Sequence, residues 1–255
     1  MNDFSISPAE SRTFQLQIFR AKLSTWDADF VSSWGNPGLA DLVISRIDTS
    51  LQSSLFQIYK QYPHTFLADT LVYYGGAVRG KIRPQLPAQV TIVRGGKAHQ
   101  AVLESLITDI FKGYQNHYHS NPLFKSVDLA KGYLEWCLPF LTEEDKICLI
   151  LLENGVPAGF LAAKFYPGSD AYADIILNGV LKSFEGRGYY SFLLRELMAI
   201  LSDSGFERVV VSTQLNNQRV QSVWTKEGLS LSQSFYTFHH LISDGAKVAL
   251  AKSSS

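Results

Sequence analysis

The sequence predicts an α/β (α+β) protein, and three observations carry that expectation. Strand-sized apolar runs alternate with stretches of helical periodicity along most of the chain. An Asn154-Gly155 step joins two such runs, a strong hairpin signal. A glycine turn, Gly186-Arg187-Gly188, stands between a β-rich run and an amphipathic helix.

The elements follow in order. Residues 14–23 and 40–47 read as strands, 50–62 as a helix and 69–78 as a strand. Residues 78–87 carry Pro84 and Pro87 with Arg79, Lys81 and Arg83, and read as a connector. A second series opens at Gln89 with a short strand, Val90-Thr91-Ile92-Val93, broken by Gly95-Gly96. Residues 98–111 place Val102, Leu103, Leu106, Ile107 and Ile110 at helical spacing. A polar and aromatic loop, 114–124, precedes a helix near 128–138. The hairpin strands are 147–152 and 159–165, and a third strand, 172–181, leads to the glycine turn. Beyond it come a helix (189–201), a strand (208–213), a helix (217–227) and a last strand pair through Ile242. The expected division is an N-terminal β/α part at 1–87, a main domain at 88–245 and a frayed tail at 246–255.

Composition narrows the class. The 255 residues are 46% hydrophobic and 18% charged, with a formal net charge of zero, which describes a folded chain able to bury a substantial core. Zero net charge gives no electrostatic reason to expect nucleic acid or an anionic membrane as partner. The N-terminus lacks the basic start and apolar run of a secretory signal, and no apolar stretch approaches a bilayer span. Cys137 and Cys148 have no metal-like spacing and read as reduced core thiols, so the expected location is cytoplasmic and no metal is expected.

The glycine turn carries the chemistry. Glycine at 186 and 188 lets the backbone bend tightly and lets a ligand approach without Cβ interference. The following helix, with Leu193, Leu197, Ile200 and Leu201 on one face, presents unpaired N–H groups and a positive dipole end at its start. Together these suit a pyrophosphate. An ordinary strand-to-helix turn reads the same way in isolation. The turn lacks the longer fingerprint of a dinucleotide fold and the Gly-Lys-Ser/Thr ending of a P-loop.

The run Val180-x-Lys182-x-Phe184-Glu185-Gly186-Arg187-Gly188-Tyr189-Tyr190 resembles the acetyl-CoA loop of the GCN5-related N-acetyltransferase (GNAT) superfamily, Arg/Gln-x-x-Gly-x-Gly/Ala. Glu185 and Tyr190 depart from the two ends of that pattern, and Gly188 fits its centre. Downstream, Asn217-x-x-Val220-x-x-x-Trp224-x-x-x-Gly228 is similar, at unchanged spacing, to the family's Asn-x-x-Ala-x-x-x-Tyr-x-x-x-Gly helix. The resemblance implies a mixed, mostly antiparallel central sheet flanked by helices, with an N-terminal β/α extension. It implies acetyl-CoA as acyl donor, its pyrophosphate held at Gly186, Arg187, Gly188, Tyr189 and Tyr190. Its pantetheine arm would lie along Val180 and Leu181 and face Asn217, with Trp224 on the neighbouring helix.

Within the superfamily the chain most resembles the TDP-fucosamine acetyltransferase-like sugar-nucleotide N-acetyltransferases. The likeness rests on Ser24-Thr25-Trp26-Asp27-x-x-Phe30, on Asn116-His117-Tyr118-His119-Ser120-Asn121-Pro122-Leu123-Phe124 with Tyr133-x-x-Trp136, and on Phe235-Tyr236-Thr237-Phe238-His239-His240-Leu241. It implies a small-molecule acceptor, the amino group of a nucleotide-linked amino-deoxy sugar, acetylated by direct transfer. The acceptor pocket would include His117, Tyr118, Asn121 and Phe124, although Tyr114, Tyr118 and Phe124 equally describe a core plug. A peptide, polyamine or aminoglycoside acceptor stays open, as does a catalytically silent acyl-CoA-binding protein, and oligomeric state is open with a homodimer among the options.

An amine attacks a thioester only when neutral, so a base must take a proton, and the leaving thiolate benefits from an acid. Trp224 stands where the family commonly has an acidic tyrosine, and an indole cannot supply a proton. The thiolate then leaves unprotonated, or Tyr236, Tyr189 or Tyr190 replaces the missing acid, or catalysis is lost. For the base, His117, His119 and Asp174 are the candidates, against plain readings as packing or surface residues. His239 and His240 alternate along a strand, so at most one faces the site.

Overall fold

Apolar alternation and continuous apolar runs give the described residues ten strands, and all ten join one sheet. The computed structural model describes residues 2–36, 38–114, 116–124 and 129–244, with the backbone alone at 129–131. The expected tail at 246–255 and the expected helix start at Asp128 lie outside the described residues.

The N-terminal segment contributes β1 (Asp3–Ile6), α1 (Pro8–Phe14), β2 (Ile18–Leu23), α2 (Ala28–Ser33), β3 (Leu42–Asp48), α3 (Leu55–Gln61) and β4 (Thr65–Ala77). The main segment contributes β5 (Val90–Arg94), α4 (Gln100–Ile110), α5 (Leu129–Cys137), β6 (Lys146–Glu153), β7 (Val156–Tyr166), β8 (Tyr172–Val180), α6 (Tyr189–Asp203), β9 (Arg208–Gln214), α7 (Gln218–Lys226) and β10 (Ser230–Leu241). The strand order is β1-β2-β3-β10-β4-β9-β8-β7-β6-β5. Pairing is antiparallel except for β2 with β3 and β8 with β9. This is the mixed, mostly antiparallel sheet flanked by helices that the sequence led us to expect.

Local chemistry explains several boundaries. Asn154 (φ 51°) and Gly155 (φ 79°) both take the left-handed conformation, the requirement of a two-residue hairpin turn between β6 and β7. Residues 14–23 were expected as one strand. Instead Pro8, pre-set for a first helical turn, opens α1, and the strand starts only at Ile18. The Asp27 carboxylate accepts the Phe30 N–H and caps α2, a helix the periodicity did not show.

Helices cover both faces of the main sheet. On one face α6 buries Leu193, Leu197 and Leu201 against Leu149, Leu161, Val209 and Val211. On the other, Leu103, Leu106 and Ile107 of α4 pack with Ile150 and Phe160. Each such aliphatic side chain contributes roughly 1.5–3 kcal/mol relative to exposure. Cys137 and Cys148 are buried free thiols, and burial pushes Cys148 up to about 12.

The sheet does not break between the two segments. β10, last in the chain, inserts between β3 and β4, and β4 pairs with β9. The N-terminal segment therefore supplies strands directly beside the centre of the main sheet. On one face α2 and α3 cover Ala21, Leu23, Ile47 and Phe238. On the other, the 117–124 loop covers Ile18, Ile44 and Leu241.

Candidate active site

The two parallel strands β8 and β9 pair only from Tyr172 opposite Arg208 to Ile175 opposite Val211. Beyond that point they diverge, which leaves two open strand edges facing each other. On β8 the Leu181 N–H bonds to Ala158 of β7 at 2.8 Å, so by ladder alternation the backbone groups of Val180 face the open side. Leu181 is not available in the same way, because its carbonyl accepts the Phe184 N–H at 2.8 Å. Ile176 is a bulge residue between Ile175 and Leu177, with no ladder partner on β7 or β9. A bulge beside a cleft can turn a backbone N–H toward a developing oxyanion.

The glycine turn lies at the end of this opening. Gly186 and Gly188 both have φ 79°, and nothing in the protein lies within 4 Å of a Cβ placed on either. The glycines are required by backbone conformation and by the open space before them, not by packing. Among the described residues no backbone carbonyl accepts the N–H groups of Gly186 to Tyr190, and Gly188 caps α6 without a side-chain bond. These are donors converging at the positive end of a 15-residue helix, the arrangement a pyrophosphate needs. The residues present therefore fit coenzyme A. The Arg187 side chain is turned away to Glu153 (2.6 Å), and Glu185 pairs with Arg219 of α7 (2.5 Å).

Asn217 heads α7, donates to the Thr213 hydroxyl at 3.0 Å, and lines the cavity at the strand opening with Val220 and Trp224. The Trp224 N–H donates to the Tyr190 hydroxyl at 2.7 Å, so that the indole offers the cavity a ring face and no free donor. Burial raises the Tyr190 hydroxyl far above the ordinary tyrosine value. Tyr189 donates to Glu153 at 2.6 Å and packs with α6.

The cavity, of about 220 Å³, runs from the splayed strands to the N-terminal segment. Phe111, Tyr114, Tyr133 and Trp136 wall one side, and Arg20, Arg46, Asp69 and Thr237 come from β2, β3, β4 and β10. A second, more open groove of about 570 Å³ shares Asp69, Asn116 and Gln214 with it. The Tyr114 hydroxyl donates to Gln214 on β9 at 2.5 Å.

The predicted acceptor residues divide sharply. His117 lines the cavity, but its Nδ1 meets His239 Nε2 at 3.0 Å. Burial, together with Arg20, His239 and Arg46, holds it well below the ordinary imidazole range, and it is neutral and a weak base. The Asn121 Oδ1 accepts the Leu123 N–H, which turns its Nδ2 to His239 Nδ1. Asn121 is fully buried and serves this network, not a ligand. The Tyr118 hydroxyl donates to Glu10 (2.5 Å) and accepts from Arg20 (3.0 Å), leaving only its ring to the cavity. Phe124 stacks on Phe14 with centroids 3.9 Å apart and is a core plug. His119 is exposed in the outer groove, its Nδ1 spent on the Asn116 N–H.

Tyr236 is placed by strand parity. It shares a face with Phe238 and packs against the α2–α3 side, whereas its neighbour Thr237 faces the cavity. It cannot reach the thioester. Asp174 lies in register with Val210 on the cavity side of the sheet but does not line the cavity. Burial pushes it up to about 6, with Arg46 opposing that rise. Asp69, Arg46 and Arg20 were not singled out in the sequence. The one signal was an acid within the otherwise apolar run Leu67-Ala68-Asp69-Thr70-Leu71-Val72.

Residues 103–229 match the model of the acetyltransferase (GNAT) family. No curated protein matches the chain. Among solved structures, the chain is similar to a GCN5-related N-acetyltransferase from Sphaerobacter thermophilus, with TM-score 0.63 and 13% identity over 94% of this chain and 76% of that one. A GCN5-related N-acetyltransferase from Kribbella flavida gives TM-score 0.61 and 13% identity over 87% and 81%. A tandem GNAT protein from the clavulanic acid biosynthesis pathway gives 0.60 and 10% over 88% and 75%. At such identities the likeness is one of fold.

Proposed function

Starting from a chain whose residues 103–229 are a domain of the acetyltransferase (GNAT) family, an acyltransferase that draws on acetyl-CoA, we propose that it acetylates the amino group of a nucleotide-linked amino sugar. The observation that carries the reading is the meeting of two spaces. The strand opening beside the glycine turn, shaped for a pantetheine arm, leads into a cavity that a small acceptor can enter from the outer groove.

Acetyl-CoA supplies an activated acetyl carbonyl when bound. The N–H groups of Gly186 to Tyr190 hold its pyrophosphate, and the Val180 edge and Asn217 align its arm. The amine nitrogen bonds to the thioester carbon, the C–S bond breaks, and the amine's proton passes to a base. The backbone N–H at the Ile176 bulge receives the oxyanion. Of the tyrosines on the cavity wall, Tyr118 gives its proton to Glu10 and Tyr114 gives its own to Gln214, whereas the Tyr133 hydroxyl accepts from Asn116 at 2.5 Å and donates to no group among the described residues. Tyr133 is therefore the wall hydroxyl with a proton to offer the departing sulfur, in the role that Trp224 cannot fill.

Support for an amino-sugar acceptor comes from the wall of ring faces at Phe111, Tyr114, Tyr133 and Trp136, which suits the C–H face of a pyranose. The outer groove has room for the nucleotide. The test is thiol release from acetyl-CoA across amino-sugar nucleotides, free amino sugars, polyamines and peptides. Turnover is expected with amino-sugar nucleotides above the rest. Turnover confined to peptides or polyamines sinks the acceptor assignment, and CoA binding without turnover of any amine sinks the enzymatic reading.

A further inference from the structure

Three adjacent strands bring one row of polar side chains together. Asp69 on β4 is paired with Thr237 on β10, and Thr237 with Arg46 on β3. The three therefore stand side by side on one face, across two strand spacings of about 4.8 Å each. All three line the cavity at the strand opening, and Asp69 also borders the outer groove, so it lies where an entering acceptor meets the donor's space.

The backbone is built to aim Asp69. Thr237 pairs with Asp69, but the next residue, Phe238, pairs with Leu67, so Ala68 is a bulge immediately beside Asp69. A bulge turns the neighbouring side chain away from its regular direction, and the carbonyl it frees needs another donor. The Ser120 hydroxyl supplies that donor, bonding Ala68 O at 2.7 Å. The distortion is thus supported by a second element.

What Asp69 is aimed at is not another protein group. Both carboxylate oxygens are buried without a well-directed hydrogen bond, and no ion pair reaches them among the described residues. A buried carboxylate left in this state is costly unless a ligand completes it. The Arg46 Nε, in the same cavity, also lacks a partner, although its guanidinium donates to Tyr73 at 3.0 Å.

We propose that Asp69 receives the proton of the acceptor amine, with Thr237 and Arg46 positioning its carboxylate for that step. The assignment rests on the amine-acetylation reading above and names its base. The amine enters as an ammonium attracted to the carboxylate, gives up one proton to it, and attacks as the neutral amine; as the C–S bond breaks, the second proton leaves the nitrogen for the departing thiolate, which becomes the CoA thiol. The residue lies outside the segment matched by the family model, on a strand that the N-terminal segment lends to the sheet.

The charged and titratable surroundings agree with this role. Burial raises the Asp69 pKa, against the opposing effects of the Thr237 hydroxyl, Arg46 and Arg20, and a raised carboxyl is the better base. Tyr114 faces it from the loop after α4, His117 lines the cavity as a neutral ring, and His119 borders the groove. Asp174 faces Arg46 from β8. Glu10 is occupied by Arg20 and Tyr118.

The experiment compares wild type with Asp69→Asn and Thr237→Val on whichever amine the panel above shows to be acetylated. Asp69→Asn is isosteric and removes a buried charge, and far-UV circular dichroism checks that it folds. It is expected to lower kcat by about 10²–10⁴ with the acetyl-CoA KM unchanged, and to abolish the rising acid limb of the rate profile. Thr237→Val removes the hydroxyl dipole paired beside the ionised carboxylate, so the limb moves up by about one pH unit while the protein stays folded. A purely structural threonine does not move it. An Asp69→Asn rate within threefold of wild type, or an unmoved limb in both variants, overturns the proposal while leaving amine acetylation standing. Failure of the wild type on every amine is a different observation, and overturns both.

Discussion

Replacing Gly188 by valine tests the donor site through backbone conformation alone. Gly188 has φ 79°, where a β-branched residue is strained, and a Cβ there meets nothing within 4 Å. Steric collision with the protein therefore adds nothing, and the whole cost is conformational, about 1–2 kcal/mol. The free loop escapes it by moving to negative φ. To bind coenzyme A in the proposed way it must return, because positive φ at Gly186 and Gly188 sets how the N–H groups of Gly186 to Tyr190 are presented. The strain is then charged against affinity, and the expected CoA dissociation constant rises about 5–30-fold. The matched control is Gly205→Val at the other end of α6, where φ is 76° and nothing lies within 4 Å. That variant carries the same strain, with a fall in melting temperature of about 2–4 °C per kcal/mol, yet leaves CoA affinity unchanged. Calorimetric titration with CoA and thermal unfolding of both variants separate the two effects. If Gly188→Val binds CoA within twofold of wild type while Gly205→Val shows the expected loss of stability, the loop does not hold the pyrophosphate.

Three further outcomes follow from buried groups. Trp224→Phe leaves the Tyr190 hydroxyl without its 2.7 Å donor and shrinks a fully buried side chain, so unfolding should ease by about 1–3 kcal/mol; an unchanged melting temperature would refute the bond. Asp174 is raised by burial from 3.8 to about 6, which penalises its ionised form in the folded state by on the order of 3 kcal/mol. That penalty is absent below pH 3.8, where both states are protonated, and complete above pH 6, so Asp174→Asn should stabilise at pH 8 and not at pH 3. Equal denaturation midpoints at pH 8 contradict it. Glu10 is buried against Arg20 at 2.5 Å and also accepts from Tyr118; despite desolvation, Arg20 lowers its pKa. Glu10→Gln leaves Arg20 without its counter-charge and should cost about 3–5 kcal/mol in chemical denaturation at pH 7.

The residues proposed for the donor could be named from the chain because their requirements are local. Two glycines at positive φ, a helix start and the Asn217 to Gly228 spacing all lie within about fifty residues, and each is a property of a short segment. The hairpin at Asn154-Gly155 was legible for the same reason. The acceptor half was not. Arg46, Thr237 and Asp69 become neighbours only because β10 inserts between β3 and β4, a pairing no local pattern announces. The polar loop 116–124 misled in the opposite sense. Its histidine, asparagine and aromatic residues resemble ligand contacts, yet His117, His239 and Asn121 satisfy one another, and Phe124 packs on Phe14. Polar groups in a loop that must be buried require such internal partners, and sequence does not distinguish the two cases. Tyr236 failed by a single step of parity, since Thr237 is the residue that faces inward.

The continuity of the sheet bears on how this chain acquires its acceptor specificity. The segment matched by the family model, 103–229, holds the glycine turn, both splayed strands and the Asn217 helix, the parts proposed to hold the donor. Arg20, Arg46, Asp69 and Thr237 all fall outside it and reach the cavity through β2, β3, β4 and β10. β4 is hydrogen-bonded to β9 along seven paired positions, from Leu71 opposite Gln214 to Ala77 opposite Arg208, so the N-terminal strands cannot shift without moving one lip of the coenzyme opening. Asp69 lies two residues beyond that ladder, where the bulge at Ala68 begins. A substitution in the N-terminal segment can therefore alter which amine is accepted while the donor loop stays intact. Conversely, a change in β9 acts on both substrates at once.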